Sequence, residues 1–278
     1  MLRAMFFLAH TPAPTLRDFV DRFWLCSDAP SHDRERILPG GTVELVINLR
    51  EDEVRIYDPD QPERVRRLAG AVVSGTYARP FVIDPRQHAS IIGVHFQPGG
   101  AFPFLGPRAD ELANDHVDLV MLWGRAAGEL RERLCEAASA AERFAIMEQT
   151  LLRQLARPLK RHAAVYAALR AFEQSHGCVD VRRVARQVEL SDRRFIEVFA
   201  AEVGLTPKRF CRILRFQHAR AEIGRNSAPD WAALALECGY FDQSHLIHDF
   251  REFSGMSPTT YARQQNQPLL PNHVLFAA

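Results

Sequence analysis

Residues 189–223, ELSDRRFIEVFAAEVGLTPKRFCRILRFQHARAEI, and residues 235–263, ALECGYFDQSHLIHDFREFSGMSPTTYAR, are two versions of one pattern, and their reading decides the carboxy-terminal fold. At an offset of 51 positions Phe195 aligns with Leu246, Phe199 with Phe250, Gly204 with Gly255, Thr206-Pro207 with Ser257-Pro258 and Phe210 with Tyr261. Apolar residues three and four apart give each copy one buried helical stripe. Each stripe stops at a glycine, which suits the left-handed turn that ends a helix. A hydroxyl residue and a proline follow, the cap and first-turn signals of the next helix. Upstream, Ala185 and Ala235 hold matching places in a preceding short helix, with one extra residue in the second turn. A side chain that small lets the next helix cross closely.

A short helix, a tight turn and a longer helix form the helix-turn-helix arrangement, whose second helix enters the DNA major groove. The connecting segment, residues 207–223, would be about 25 Å long as an unbroken helix. With its flanking turns it could hold two recognition helices about 34 Å apart, one turn of B-DNA. On the first, Phe195, Val198 and Phe199 face the core, which leaves Arg193, Ile196 and Glu197 toward the groove. Arginine can bond guanine, glutamate can accept from cytosine and isoleucine can meet a thymine methyl. A surface pair of Glu197 with Arg193 or Arg194 is the competing arrangement. On the second, Leu246, Phe250 and Phe253 read as core, and Gln243, Ser244 and Ile247 or His248 face out. Arg182, Arg194, Lys208, Arg209 and Arg212 are candidates for phosphate contact, with Arg183, Arg186 and Arg215 beside them. Such contacts position a protein on DNA without specifying sequence. His245 and His248 lack a third ligand at metal-site spacing, so no metal is expected.

These residues resemble the two halves of the AraC/XylS-family DNA-binding domain. The stretch CGY-x-DQSH-x(4)-F-x(4)-G-x-SP-x(2)-Y carries most of the likeness, which covers residues 163–263. The resemblance implies a bacterial transcription regulator, with Arg193, Ile196 and Glu197 at base-contact positions. Relatives often carry a basic or amide side chain where Glu197 stands, and arginine where His248 stands. The upstream PGG and GVHFQPGGAFPFLG segments resemble an amino-terminal domain found in a subset of these regulators. The implied partners are double-stranded DNA, RNA polymerase and a small-molecule effector, with the chain a monomer or homodimer in the cytoplasm. Activation and repression stay open.

The 278 residues are 47% hydrophobic and 25% charged, with a net charge of +1, average for a globular chain of two domains. The net charge hides an asymmetry: residues 1–156 sum to −4 and residues 157–265 to +5. Only the second half suits a polyanion. Arg157-Pro158 marks the boundary, because proline disfavours helix in the residue before it. The expected organisation is a sensor or dimerisation domain at 1–156, the DNA-binding domain at 157–265 and an apolar tail at 266–278 that packs on the domain seam or on a partner.

The first hundred residues contain short β-prone runs at 42–48, 54–57, 71–74, 80–83 and 91–96, separated by Pro, Gly and Asp turns. Residues 119–138 and 141–155 have helical spacing. The predicted fold class is therefore α+β: an antiparallel β-barrel or sandwich, cupin-like, with following helices, then an all-α tandem helix-turn-helix domain. Glu44, Arg79, His95 and Gln97 lie in or beside the strands and are the candidate ligand residues. No cofactor is expected. The histidines lack the HxH pair of a metal-dependent cupin, and no GxSxG, P-loop or GxGxxG occurs. Five scattered cysteines read as reduced, mostly buried thiols. No run approaches the roughly 20 apolar residues of a membrane span, and the start lacks a secretory signature. Two further classes compete with sequence-specific regulation: a DNA-tethered modifying or repair enzyme using a cysteine such as Cys26, and a non-specific architectural binder.

Overall fold

The computed structural model describes residues 6–27, 34–225, 229–264 and 272–276. The amino-terminal half has strands β1 (Phe6–His10), β2 (Val20–Ser27), β3 (Glu35–Ile37), β4 (Glu44–Asn48), β5 (Glu53–Tyr57), β6 (Val65–Ala69), β7 (Ala71–Ser74), β8 (Phe81–Ile83), β9 (Ser90–Phe96) and β10 (His116–Asp118). Helices α1 (Leu119–Trp123), α2 (Arg125–Glu136) and α3 (Ala140–Arg153) follow. The strands form two antiparallel sheets, ordered β1-β2-β9-β4-β7-β10 and β3-β8-β5-β6. They make a sandwich rather than a closed barrel.

The first sheet is covered on both faces, which explains why β7 is buried throughout and β9 reads as a nearly continuous apolar run. One face carries Phe23, Leu45, Ile47, Val73, Ile92 and Val94 against Trp123, Leu130, Phe144 and Met147 of the helices. The other carries Trp24, Cys26, Ile91 and Val46 toward the second sheet. Gly93 pairs with Trp24 across β9 and β2, and a Cβ there would lie 2.5 Å from the indole. The glycine makes room for the ring.

The carboxy-terminal half is α4 (Ala163–Gln174), α5 (Val181–Gln187), α6 (Asp192–Val203), α7 (Pro207–Arg225), α8 (Trp231–Glu237), α9 (Gln243–Ser254) and α10 (Pro258–Gln264). The two copies have the same caps. Asp180 and Asp230 accept from the first turns of α5 and α8, each at 2.9 Å. Ser191 accepts from the Arg194 N–H at 3.3 Å and Asp242 from the His245 N–H at 2.8 Å. Gly204 and Gly255 close α6 and α9 with φ of 88° and 73°. Ala185 and Ala235 are both fully enclosed beneath these helices. α7 serves both copies, with Phe210 against Phe199 and Phe172, and Phe216 against Phe250 and Phe253.

The halves are stitched together. Residues 157–161 are pinned to the sandwich by arginines: Arg157 donates to the Phe102 carbonyl at 3.1 Å, and Arg161 to the carbonyls of Pro98 and Asp18 at 2.6 and 2.5 Å. Leu38 and Ala78 complete the helical core. From the tail comes β11 (His273–Leu275), which pairs with β3 and sends Val274 into that same core. The tail residues 265–271 and 277–278 lie outside the described residues. No helix among the described residues is long and apolar enough to cross a membrane.

Candidate nucleic-acid interface

The capping pattern fixes which side chains α6 and α9 turn outward. Arg193, Ile196 and Glu197 stand exposed on one face of α6, while Phe195 and Phe199 are sealed beneath. Arg194 pairs with Glu197 at 2.9 Å, so the alternative surface pairing of that carboxylate is realised. On α9, Gln243, Ser244 and His248 are exposed, Ile247 is half-buried, and Leu246 and Phe250 are enclosed. His248 is therefore the more outward of the two residues left open by spacing. Phe241, 86% exposed, leads into α9 beside Gln243. A bare aromatic ring in a turn was its signal in the sequence.

The basic residues divide. Arg182, Arg183, Arg186 and Lys208 are exposed on α5 and the first turn of α7. Arg209 and Arg212 instead turn inward. Arg212 donates to Asp249 at 2.5 Å and also reaches Glu252, and Arg209 binds Glu252 and donates to the Ala78 carbonyl at 2.7 Å. Arg215 reaches the Gly177 carbonyl at 3.2 Å. Arg209 and Arg212 thus tie α7 to α9 instead of standing free for phosphate. Their cue was the matched spacing: two arginines three apart on one helix, and Asp249 and Glu252 three apart on the other. Burial would raise the Glu252 carboxyl, but hydrogen bonds from Arg209 and Arg212 outweigh it and hold it below the usual carboxylate range. His248, Asp249 and Glu252 bring ligand atoms within 4.8 Å of one another, yet guanidinium groups already occupy both carboxylates.

α6 also meets the sandwich. Thr76 Oγ1 donates to the Val203 carbonyl at 2.8 Å at the end of the helix. Glu202, one residue earlier, is buried against the linker and accepts the His162 N–H at 3.2 Å. Burial pushes its carboxyl up to about 7, against the lowering effect of that bond and of Arg161.

The four candidate ligand residues are not brought to one place. Glu44 and His95 pair at 2.6 Å across β4 and β9. Gln97 lines none of the described cavities, and Arg79 lies in a cleft between the two halves. The space between the sheets is small, about 90 Å³, and mostly apolar, with Arg22, Glu44, Ser74, Gln87, His116 and His273 at its polar points. His116 is held neutral, its pKa lowered to about 3 by burial and by the nearby Arg66 charge. Three cysteines, Cys26, Cys211 and Cys238, are buried, and Cys135 and Cys178 are exposed. Burial pushes the Cys211 and Cys238 thiols up to about 12, so neither is a ready nucleophile.

Comparison with known families gives two matches. Residues 8–118 match a model described as a domain of unknown function, DUF6597, and residues 184–264 match one described as a helix-turn-helix domain. Residues 184–264 are a helix-turn-helix domain. The chain is similar to part of an uncharacterised HTH-type transcriptional regulator of Haemophilus influenzae, 28% identical over 97 residues, 35% of this chain and 32% of that protein. The chain thus spans about a third of the length of that relative. An AraC-type regulator structure from Chromobacterium violaceum is similar over 38% of this chain and 94% of its own, at 22% identity and a TM-score of 0.35. ToxT of Vibrio cholerae is similar over 94% of this chain and 98% of its own, at 8% identity and a TM-score of 0.44.

Proposed function

We propose that the protein is a cytoplasmic, sequence-specific DNA-binding transcription regulator that reads two successive major-groove segments with α6 and α9 and catalyses no reaction. One observation carries this reading: a single 19-residue helix, α7, joins two helix-turn-helix units whose outward faces present Arg193, Ile196 and Glu197 on one and Gln243, Ser244 and His248 on the other. At 1.5 Å per residue that helix is about 28 Å long, which with its turns suits recognition helices about 34 Å apart. The +5 charge of residues 157–265 favours the phosphate backbone. Exposed Arg182, Arg194 and Lys208 are assigned to phosphate contact, Arg194 sharing its charge with Glu197.

Residues 1–156 form the regulatory domain, 157–265 the reader and 266–278 a tail, and RNA polymerase is the partner through which binding becomes output. A small molecule acting on the amino-terminal half modulates binding. Selection of bound sites from random DNA tests the reading: an enriched motif held at least about 10³-fold more tightly than bulk DNA supports it. Equal affinity for all sequences would leave an architectural binder.

A further inference from the structure

The roomiest cavity described is not inside the sandwich but between the two halves. It measures about 500 Å³, against about 90 Å³ between the sheets. One wall comes from the β5–β6 loop and the β7–β8 loop, the other from the carboxy-terminal end of α9. His116, Ile56 and Phe81 line both spaces and separate them.

The cleft is lined by five arginines against three carboxylates. Two of the arginines are engaged: Arg66 by Asp115, and Arg36 by the Ser254 carbonyl at 2.8 Å. Of the carboxylates, Glu252 is spent on Arg209 and Arg212, Asp58 accepts two backbone N–H groups of its own turn, and exposed Asp60 acts on Arg36. Arg64 and Arg79 from the sandwich and Arg251 from α9 have no carboxylate partner among the described residues. The Arg36 Nε is buried without a hydrogen-bond acceptor. Guanidinium forks converging on one cavity repel one another unless an anion lies between them, and their planar donors match carboxylate and phosphate oxygens. Arg251 is eight positions past Gln243, about 12 Å along the helix, but only three past His248, whose ring lies 3.9 Å from Glu252 at the edge of the cleft. The cleft therefore opens beyond the Gln243 end of α9 and borders the groove-facing surface at His248.

We propose that this cleft binds a small metabolite bearing at least two acidic groups, bridged between Arg64 and Arg79 on the sandwich and Arg251 on the second recognition helix. Both walls must hold the ligand, so its binding fixes how α9 sits on the sandwich. By linkage, a ligand that favours one placement alters DNA affinity, and DNA alters ligand affinity by the same factor. That consequence rests on the DNA-reading proposal; the site itself does not.

The test is calorimetric titration of the full chain, without DNA and at constant ionic strength, with pyrophosphate and separately with citrate. Saturable 1:1 binding of either is expected, weakened at least tenfold by Arg79→Ala and by Arg251→Ala and unchanged by Arg125→Ala, an exposed control on α2. Preference for pyrophosphate assigns phosphate esters, and preference for citrate assigns polycarboxylates. Absence of saturable binding by both anions overturns the proposal. So does loss of binding in Lys208→Ala and Arg182→Ala but not in Arg79→Ala, which would put the anion on the DNA face. Failure of DNA reading would appear only in the separate site selection.

Discussion

Replacing Arg212 with alanine separates a structural tie from a phosphate clamp. The guanidinium is 19% exposed and lies 2.5 Å from Asp249, whose side chain is 1% exposed. Arg209 does not replace it, because that residue is engaged with Glu252 and the Ala78 carbonyl. Arg212→Ala would leave the Asp249 carboxylate buried and unpaired. Breaking a buried ion pair from one side costs about 3–5 kcal/mol, mostly the desolvation of the abandoned charge. Removing both charges with Arg212→Met and Asp249→Leu removes that penalty and should recover most of the loss. Urea unfolding followed by the far-ultraviolet signal measures both, and the midpoint should fall sharply for the single variant and much less for the double. DNA affinity of the folded fraction should show no change in salt slope. The opposite pattern, stability unchanged within about 0.5 kcal/mol but a salt slope lower by about one, would refute the inward assignment.

Arg193→Ala and Gln243→Ala should each cost about 1–3 kcal/mol on the selected site and relax preference at one position, whereas Lys208→Ala weakens all DNA alike; competition binding against random duplex separates the two. Burial raises Glu202 from its ordinary 4.5 to about 7 in the folded chain, so its protonated form is the favoured one when buried. Its contribution is full below pH 4.5 and lost as pH rises through 7; Glu202→Gln should therefore stabilise the protein at pH 8 by on the order of 3 kcal/mol and have little effect near pH 4. Thermal melts across that range check it, and an equal effect at both ends would contradict the assignment. Truncation after residue 271 removes β11 and the Val274 contact with the helical core, and should lower the melting temperature by several degrees; an unchanged melt would mean the strand adds nothing.

The carboxy-terminal fold was legible because capping and stripe signals are local: Gly204 and Gly255 close α6 and α9, and Thr206 and Ser257 cap the helices that follow, as their positions foretold. Several strands were not. β2 does hold a buried apolar run, Phe23 to Cys26, but it is short and follows charged Asp21 and Arg22, whereas β6 carries Arg66 and Arg67 on an exposed edge and offers no such run. β11 lies about 240 residues from its partner β3, a pairing that no local pattern encodes. The same limit applies to charge. Arg209 and Arg212 look like any basic helix face until Asp249 and Glu252 are folded against them. Arg79, singled out beside a strand, lies in a cleft that exists only once the halves meet.

The central claim is that α7 holds two readers at a fixed separation. Its most direct test uses the site recovered from random DNA, with 5 base pairs inserted between its two halves. Two readers on one helix should give two conserved half-motifs centred about 10 base pairs apart, and an affinity on the inserted site reduced to that of a single half. A single half-motif, or undiminished affinity after the insertion, would contradict it.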